Sequence, residues 1–321
     1  MRRFATALLL VAAALPAHAQ SKPPSPAKPA PAPQQPQPAA KPAPAVDLAY
    51  GAYQRGLYLT AFREAFKRVQ ANPGDAAALT LLAELHNQGL GLKRDPKEAA
   101  SWYRLAAERG SAHAMAALGM MSLEGRGVER DPNAARDWLE KAAAKGEPLA
   151  AYNLALVLLD QGSEENIARA ASLLAIAARS EIAEAQHALG VLYARGRGGL
   201  AQDKAEAARL YQRASYNGSI AGEIEYAIVL FNGDGVARNE RLAARHFAHA
   251  AARGNAIAQN RFARLYVIGR GVPRNLTESL AWHSMAKAQG LNDAWLEEQL
   301  KDVPPAERTK AAQLAEERSN L

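Results

Sequence analysis

Residues 114–146 read AMAALGMMSLEGRGVERDPNAARDWLEKAAAKG, and this stretch decides the fold of the chain. Its marked positions are two paired glycines, an Asp-Pro step, a tryptophan and a final glycine, namely Gly125, Gly127, Asp131, Pro132, Trp138 and Gly146. The same features occur 36 residues earlier, and the segments 233–236 and 269–272 repeat Gly-x-Gly-Val at that same spacing. A fixed period of this length predicts a solenoid of repeated helix pairs.

Each marked position has a mechanical role in a helix pair. Gly125 and Gly127 are expected to end the first helix, because glycine adopts the positive φ that a helix C-terminus and turn require. Asp131 is expected to cap the second helix, with Pro132 at its first position. In three other units a Glu follows the cap residue by three positions, which predicts capping boxes at Asp95 and Glu98, Asp203 and Glu206, and Asn275 and Glu278.

The pattern divides the chain from residue 46 onward into seven units followed by a terminal element. The units are 47–74, 75–110, 111–146, 147–180, 181–218, 219–254 and 255–290. The first is irregular, and the fourth lacks the paired glycines of the others. Residues 291–321 lose the period and predict one or two capping helices around Pro304 and Pro305. The expected fold is therefore an all-α solenoid over residues 46–290 with C-terminal capping helices at 291–321.

The N-terminal 45 residues predict an export signal and a spacer. Arg2 and Arg3 precede a short apolar run, and Ala17-His-Ala19 offers small residues where a signal peptidase cleaves, so residues 1–19 are interpreted as a signal peptide cleaved after Ala19. An uncleaved membrane anchor is the alternative, although the run is short for a bilayer span. Residues 20–45 are rich in Pro and Ala and contain no acid, which predicts a disordered, semi-rigid linker. The protein is accordingly expected to be periplasmic or secreted.

The positive charge of the chain belongs mostly to this N-terminal segment. The formal net charge is +7, from 39 Lys and Arg residues against 32 Asp and Glu residues. Five of the basic residues and none of the acidic ones lie before residue 46, so 34 bases and 32 acids remain in the array. A nearly neutral array gives no electrostatic support for nucleic-acid binding. The chain has no cysteine, so it has no disulfide framework.

The repeated order A-x-x-x-L-G, G-x-G-V, D-x-x-x-A, W-Y and A-A-x-x-G resembles the Sel1-like repeat, a relative of the tetratricopeptide repeat, over about residues 47–290. This resemblance implies a right-handed α/α superhelix in which the first helices line a concave groove. It also implies an adaptor or regulator that binds other proteins, and exported bacterial members are implicated in envelope signalling, host contact and cell-wall processes. The absence of cysteine separates this chain from the relatives that hold each repeat with a disulfide.

No residue constellation indicates catalysis, a cofactor or a metal. His246 and His249 are three residues apart and could share a helix face, but no third ligand stands at a recognisable spacing. We interpret His246 as a packing substitution for the Trp of other units and His249 as a surface residue. The glycine-rich segment 196–199 follows a predicted helix and lacks the Gly-Lys-Ser/Thr ending of a phosphate loop. A non-enzymatic protein without cofactor or metal is expected.

The remaining candidates are side chains of the first helices that repeat packing does not require. Aromatic, Arg and Asn side chains suit a protein-binding groove. The candidate protein-binding residues are His86, Asn87, Tyr152, Asn153, Tyr193, Arg195, Phe231, Asn232, Arg264 and Tyr266. Tyr193 and Tyr266 share one repeat position, and their alternative role is packing between repeats. The polar candidates have the alternative role of solvated surface.

Two classes of function remain open at this stage. The first is an adaptor or regulator in the periplasm that presents a concave groove to a protein partner in the cell envelope, such as a signalling protein, and reaches the membrane only through that partner. The second is a protein that binds or processes peptidoglycan or another cell-wall glycan. The sequence identifies neither the partner nor the oligomeric state.

Overall fold

A computed structural model shows pairs of helices in the order that the repeat pattern predicts, with the first helix of each unit followed by a turn and then by the second helix. The structure describes residues 47–320, and the signal peptide and linker predicted for residues 1–45 lie outside this range. Over the described range the chain forms helices and no strands, and consecutive helices pack in pairs. The helices are α1 (Leu48–Gln54), α2 (Tyr58–Ala71), α3 (Ala76–Gln88), α4 (Pro96–Glu108), α5 (Ala112–Glu124), α6 (Pro132–Ala144), α7 (Pro148–Gln161), α8 (Glu164–Arg179), α9 (Ala183–Arg195), α10 (Lys204–Tyr216), α11 (Ile220–Asn232), α12 (Glu240–Ala252), α13 (Ala256–Ile268), α14 (Leu276–Ala288), α15 (Ala294–Leu300) and α16 (Pro305–Ser319). The predicted all-α solenoid is confirmed.

The helix termini in α5 and α6 follow from local chemistry. The Ser111 side chain accepts a hydrogen bond from the Ala114 amide at the start of α5, and Gly125 ends the helix in the left-handed region with φ of +69°. The Asp131 carboxylate accepts hydrogen bonds from the amides of Asn133 and Ala134 at the start of α6. These caps satisfy backbone groups that the helices themselves leave unpaired.

The predicted capping boxes form only in their first half. The cap side chain does accept from the amide three residues on, as at Asp203, but the backbone amide of the cap residue does not go to the Glu side chain. It donates instead to a carbonyl of the preceding first helix: Asp95 to His86 at 2.9 Å, Asp203 to Tyr193 at 3.0 Å and Asn275 to Tyr266 at 3.0 Å. The reciprocal half of the prediction was wrong, because this bond ties the start of each second helix to the first helix of the same unit.

The fourth unit has a shorter turn between its two helices than the other repeats. Gly162 and Ser163 alone separate α7 from α8, and α8 has 16 residues, whereas α2 has 14 and the other second helices of the repeats have 13. The boundary between the fourth and fifth units falls one residue later than predicted, after Glu181, which has a φ of +59° where the third and fifth units have Gly146 and Gly218. The Glu181 carboxylate accepts hydrogen bonds from Gln186, Arg213 and Asn217 of the fifth unit. A side chain in the left-handed region is strained, and these contacts hold it there.

Replacing Glu181 by Gly and by Ala is expected to give different stabilities. Glycine removes both the strain and the carboxylate contacts, whereas alanine removes the contacts and keeps a Cβ at positive φ. The Glu181→Gly variant is therefore expected to unfold at a higher temperature than Glu181→Ala, as followed by circular dichroism. Equal melting temperatures for the two variants would show that the backbone at residue 181 relaxes out of the left-handed region.

The buried core runs without interruption across the fourth unit. One cluster of buried apolar residues extends from Leu79 through Leu154 and Leu174 to Leu210. At the C-terminal end, α16 packs on α14, where Arg318 forms an ion pair with Glu278 at 2.9 Å and stacks over Trp282. Within residues 47–320 no helix is both long and apolar enough to cross a membrane.

Candidate functional site

The first helices of the second to seventh units expose one face in common. Successive first helices touch directly at α5–α7 and at α9–α11, which places them on the more tightly curved inner side of the stack. On each of them, the four positions i, i+4, i+7 and i+11 are exposed or half-buried. We call this set the inner stripe, and its first positions are Ala77, His113, Leu149, Glu184, Ala221 and Ile257. Its spacing keeps the four side chains on a single helix face.

The inner stripe changes its charge along the array. On α3, α5, α7 and the start of α9 its ionisable side chains other than His113 are acidic: Glu84, Glu124, Asp160 and Glu184. From the end of α9 onward the bases Arg195, Arg261 and Arg264 accompany a single acid, Glu225. The two ends of the stripe are therefore suited to partners of opposite charge.

A cavity of about 400 Å³ opens at the basic end of the inner stripe, between α11 and α13. Its floor is formed by the buried side chains of Phe247 and Leu265. The rest of its lining is apolar apart from two guanidinium groups and one amide, and consists of Ile228, Phe231, Asn232, Arg261, Arg264, Ile268 and Trp295. An apolar hollow with a few polar groups at its edge is the usual form of a binding site.

Arg264 is held in position at the edge of this cavity. Its Nε and Nη2 donate to the two carboxylate oxygens of Asp293 at 2.7 and 2.8 Å, and its guanidinium stacks 4.9 Å from the ring centre of Trp295. Asp293 is buried and also accepts from the Asn260 amide at 2.8 Å. Burial alone would raise the pKa of Asp293, but the hydrogen bonds from Arg264 and Asn260 outweigh it and hold that pKa below its usual range.

A second group of charges adjoins the cavity. Burial raises the pKa of the half-buried Glu225, and the nearby cations Arg195 and Arg261 act in the opposite direction. Neither arginine approaches a carboxylate within 4.0 Å in the described part of the chain. Burial also raises the pKa of Tyr211, to about 12. Arg195 and Arg261 thus present guanidinium groups to the groove that no side chain of residues 47–320 neutralises by direct contact.

Four of the predicted site residues lie on the inner stripe. These are Asn153, Arg195, Asn232 and Arg264. Two of them, Asn232 and Arg264, together with the predicted Phe231, line the cavity. The Phe231 ring lies beneath the guanidinium of Arg270 at 4.1 Å, so it is both a cavity wall and a packing residue.

Phe231 and the other five predicted residues lie off the inner stripe. The Asn87 side chain accepts from Arg126 Nη1 at 2.7 Å and joins α3 to the turn of the next unit, while His86 packs against Phe62. Tyr152 and Tyr193 are half-buried against the core, and burial raises the pKa of Tyr152. Tyr266 is half-buried against the C-terminal core cluster, and its ring packs 4.8 Å from Phe262 of the same helix. Tyr193 and Tyr266 thus pack against core clusters that span more than one repeat, as in their alternative role of packing between repeats.

Sequence reasoning missed four residues of the cavity edge and wall. Ile228, Arg261 and Ile268 were identifiable in principle, because they occupy the exposed i, i+4, i+7 and i+11 positions of α11 and α13. Trp295 follows the last repeat, and nothing in the repeat pattern indicates that α15 brings it to the end of the groove.

His246 and His249 lie against a carboxylate. Their Nδ1 atoms lie 3.2 and 2.9 Å from Oε1 of the buried Glu223, and the His246 ring packs edge-on to Tyr226. Across residues 47–320 no group of three or more potential ligands has the geometry to hold a metal ion. The pair therefore joins α12 to the first turn of α11.

Known proteins share the repeats and the helix-pair architecture of this chain. The family model of the Sel1 repeat matches residues 76–111, 112–147, 148–181, 183–219, 220–255 and 256–291. A Sel1 repeat protein from Oxalobacter formigenes superposes with a TM-score of 0.64 at 25% identity, over 75% of this chain and 98% of that one. The c5321 protein, a protective antigen of uropathogenic Escherichia coli strains with an SLR fold, gives a TM-score of 0.58 at 22% identity, over 85% of this chain and 67% of that one. The curated proteins contain no match to the chain.

Proposed function

Because this chain belongs to the Sel1 repeat family, we propose that it is a non-enzymatic adaptor or regulator that binds another protein along the inner stripe. Sel1 repeat proteins generally mediate protein–protein interaction. The observation that carries the proposal is the inner stripe itself. It exposes aliphatic side chains such as Leu149 (49% exposed) and Leu156 (41% exposed), and it ends in the cavity beside Trp295.

The place of action that we propose is the bacterial periplasm. Residues 1–19 have the composition of a cleavable export signal, and residues 20–45 have that of a spacer between the cleavage site and the array. The partner is then a protein of the cell envelope, such as the outer part of a signalling protein. Cell fractionation and N-terminal sequencing test this step, with the mature chain expected to begin at Gln20. A chain that keeps Met1 and stays in the cytoplasm would refute export.

The binding step is tested with two matched pairs of substitutions. Leu149→Asp with Leu156→Asp places two charges on the inner stripe. Leu105→Asp with Ile176→Asp places two charges at similarly exposed aliphatic positions of the second helices. Chains of residues 46–321 are used to capture proteins from an envelope extract, and each captured protein is then purified and titrated against the array. The expected result is one protein that binds the parent and the second-helix variant and loses at least about tenfold in affinity with the stripe variant.

The same experiment addresses the glycan alternative. Incubation of the parent chain and the two double variants with isolated peptidoglycan reports co-sedimentation and released fragments. Stripe-dependent binding of peptidoglycan without any protein partner would move the function to the cell wall. Release of fragments would show that the chain is an enzyme.

A further inference from the structure

We propose that the cavity between α11 and α13 accepts an acidic peptide segment of the partner that carries one large apolar side chain. This inference rests on the proposed protein-binding function and names the chemistry of the segment that is bound. The apolar side chain enters the cavity, and the neighbouring carboxylates contact the guanidinium groups at its edge.

The apolar part of the segment is set by the cavity walls. Phe247 and Leu265 are 3% and 4% exposed, so the floor is fixed in the core. The side chains above it remain accessible, with Ile268 43% exposed and Trp295 39% exposed. A Leu or Phe side chain placed here removes its own apolar surface and that of these two residues from water, which favours binding.

The acidic part of the segment is set by the cations. Arg261 is exposed, lines the cavity and forms no ion pair within 4.0 Å in the described range. Arg264 uses Nε and Nη2 for Asp293, and its Nη1 has no hydrogen-bond partner in residues 47–320. With Arg195 these groups outnumber the two carboxylates Glu225 and Asp293. The cavity edge thus carries a net positive charge and offers donors for a carboxylate.

The arrangement is formed before a ligand arrives. Asp293 fixes the plane of the Arg264 guanidinium, and the Trp295 ring lies against its face. Side chains that are already ordered lose less conformational entropy on binding, so a short peptide can bind measurably. The acids of the opposite end of the inner stripe, from Glu84 to Glu184, disfavour the same segment there. Charge therefore directs an acidic segment to the α11–α13 end.

Isothermal titration calorimetry with synthetic peptides tests the proposal on chains of residues 46–321. The probe is an N-acetylated, C-amidated octapeptide with two Asp and two Glu around a single Leu or Phe. One comparison peptide has Asn in place of the apolar residue, and another has Lys in place of the acids. We expect binding of the acidic apolar peptide alone, with an affinity that falls as salt rises.

Two matched variants locate the site. Arg261→Glu reverses a charge at the cavity, and Arg241→Glu makes the same change on the second helix α12, where the side chain is also exposed. We expect Arg261→Glu to weaken binding of the acidic apolar peptide by about tenfold or more and Arg241→Glu to leave it within about twofold. Trp295→Ala is expected to weaken binding of the Leu and Phe peptides while leaving circular dichroism unchanged.

The other outcomes overturn the inference. Equal binding of all peptides, no binding of any, or binding that Arg261→Glu leaves intact each refutes an acidic apolar ligand at this cavity. A concentration-dependent mass that Arg261→Glu abolishes would assign the cavity to a second copy of the chain. Failure of this inference leaves the proposed function intact. A partner whose capture depends on Leu149 and Leu156 would then bind the parent chain and Arg261→Glu alike.

Discussion

Replacing Gly127 by Ala is expected to destabilise the junction between the second and third helix pairs by about 2 to 5 kcal/mol. Gly127 has a φ of +75°, and a Cβ built on it would lie 2.1 Å from the Pro96 carbonyl oxygen at the start of α4. The left-handed conformation costs a side chain about 1 to 2 kcal/mol, and overpacking adds about 1 to 3 kcal/mol. Because the obstructing atom belongs to the backbone, no side-chain rotation relieves the contact, and the turn must move away from the preceding unit.

The control for this prediction is Gly146→Ala. Gly146 also has a positive φ, +83°, but a Cβ there would meet nothing within 4 Å. The free energy of unfolding of this variant should fall only by the cost of the left-handed conformation, about 1 to 2 kcal/mol. Urea unfolding measures the two losses, and hydrogen exchange locates them. In a solenoid each repeat interacts with its neighbours alone, so α4, α5 and α6 of Gly127→Ala should lose protection before α13 and α14 do. Similar losses in both variants would contradict the contact with Pro96.

Replacing Asp293 by Asn is expected to cost about 2 kcal/mol at neutral pH and to release the edge of the cavity. Asn keeps the side-chain cap on the Leu296 amide but removes the charge that binds Arg264. Breaking a buried ion pair typically costs about 3 to 5 kcal/mol. The value here is smaller because the Arg264 side chain is 37% exposed and solvent screens part of the interaction. Glu297→Gln, which removes an exposed carboxylate paired with Lys287, is the control and should change stability little.

The pH dependence of this variant has a definite sign. The folded pKa of Asp293 lies below the value of about 3.9 for an unfolded Asp, so its contribution to stability is complete above about pH 4. It is lost as the pH falls through the folded value. The difference in unfolding free energy between the parent chain and Asp293→Asn should therefore be constant from pH 5 to 8 and shrink below about pH 4. A difference that stays constant down to pH 2 would exclude the carboxylate charge as its cause.

The repeat pattern was sufficient to predict the fold because each of its residues acts locally. Gly125 ends α5 and Asp131 caps α6 through contacts within a few residues, so their roles follow from their own positions in the chain. The first half of the capping box at Asp203 formed for the same reason. The second half of the box did not form, because the Asp203 amide donates to the Tyr193 carbonyl of α9. That carbonyl is close in space but outside the local sequence pattern.

The candidate site was predicted only in part. Four of the candidates lie on the inner stripe, namely Asn153, Arg195, Asn232 and Arg264. Tyr193 and Tyr266 instead pack in the core, although Tyr, Arg and Asn are all residue types that are common in binding surfaces. The difference between a side chain at an exposed position and a Tyr about half a turn away depends on where the neighbouring helix lies. Composition and approximate position do not contain that information.

The sequence by itself determined the solenoid, the ends of its helices and the near neutrality of its folded part, since a 36-residue period and local caps leave little freedom. Only the tertiary structure decided which contacts join units that are distant in the chain. It placed Gly127 against the Pro96 carbonyl, put Asp293 behind Arg264, and brought Trp295 from beyond the last repeat to the end of the groove. The physical reason is that these contacts depend on the angle at which one helix pair stacks on the next, and that angle results from the packing of all their side chains together.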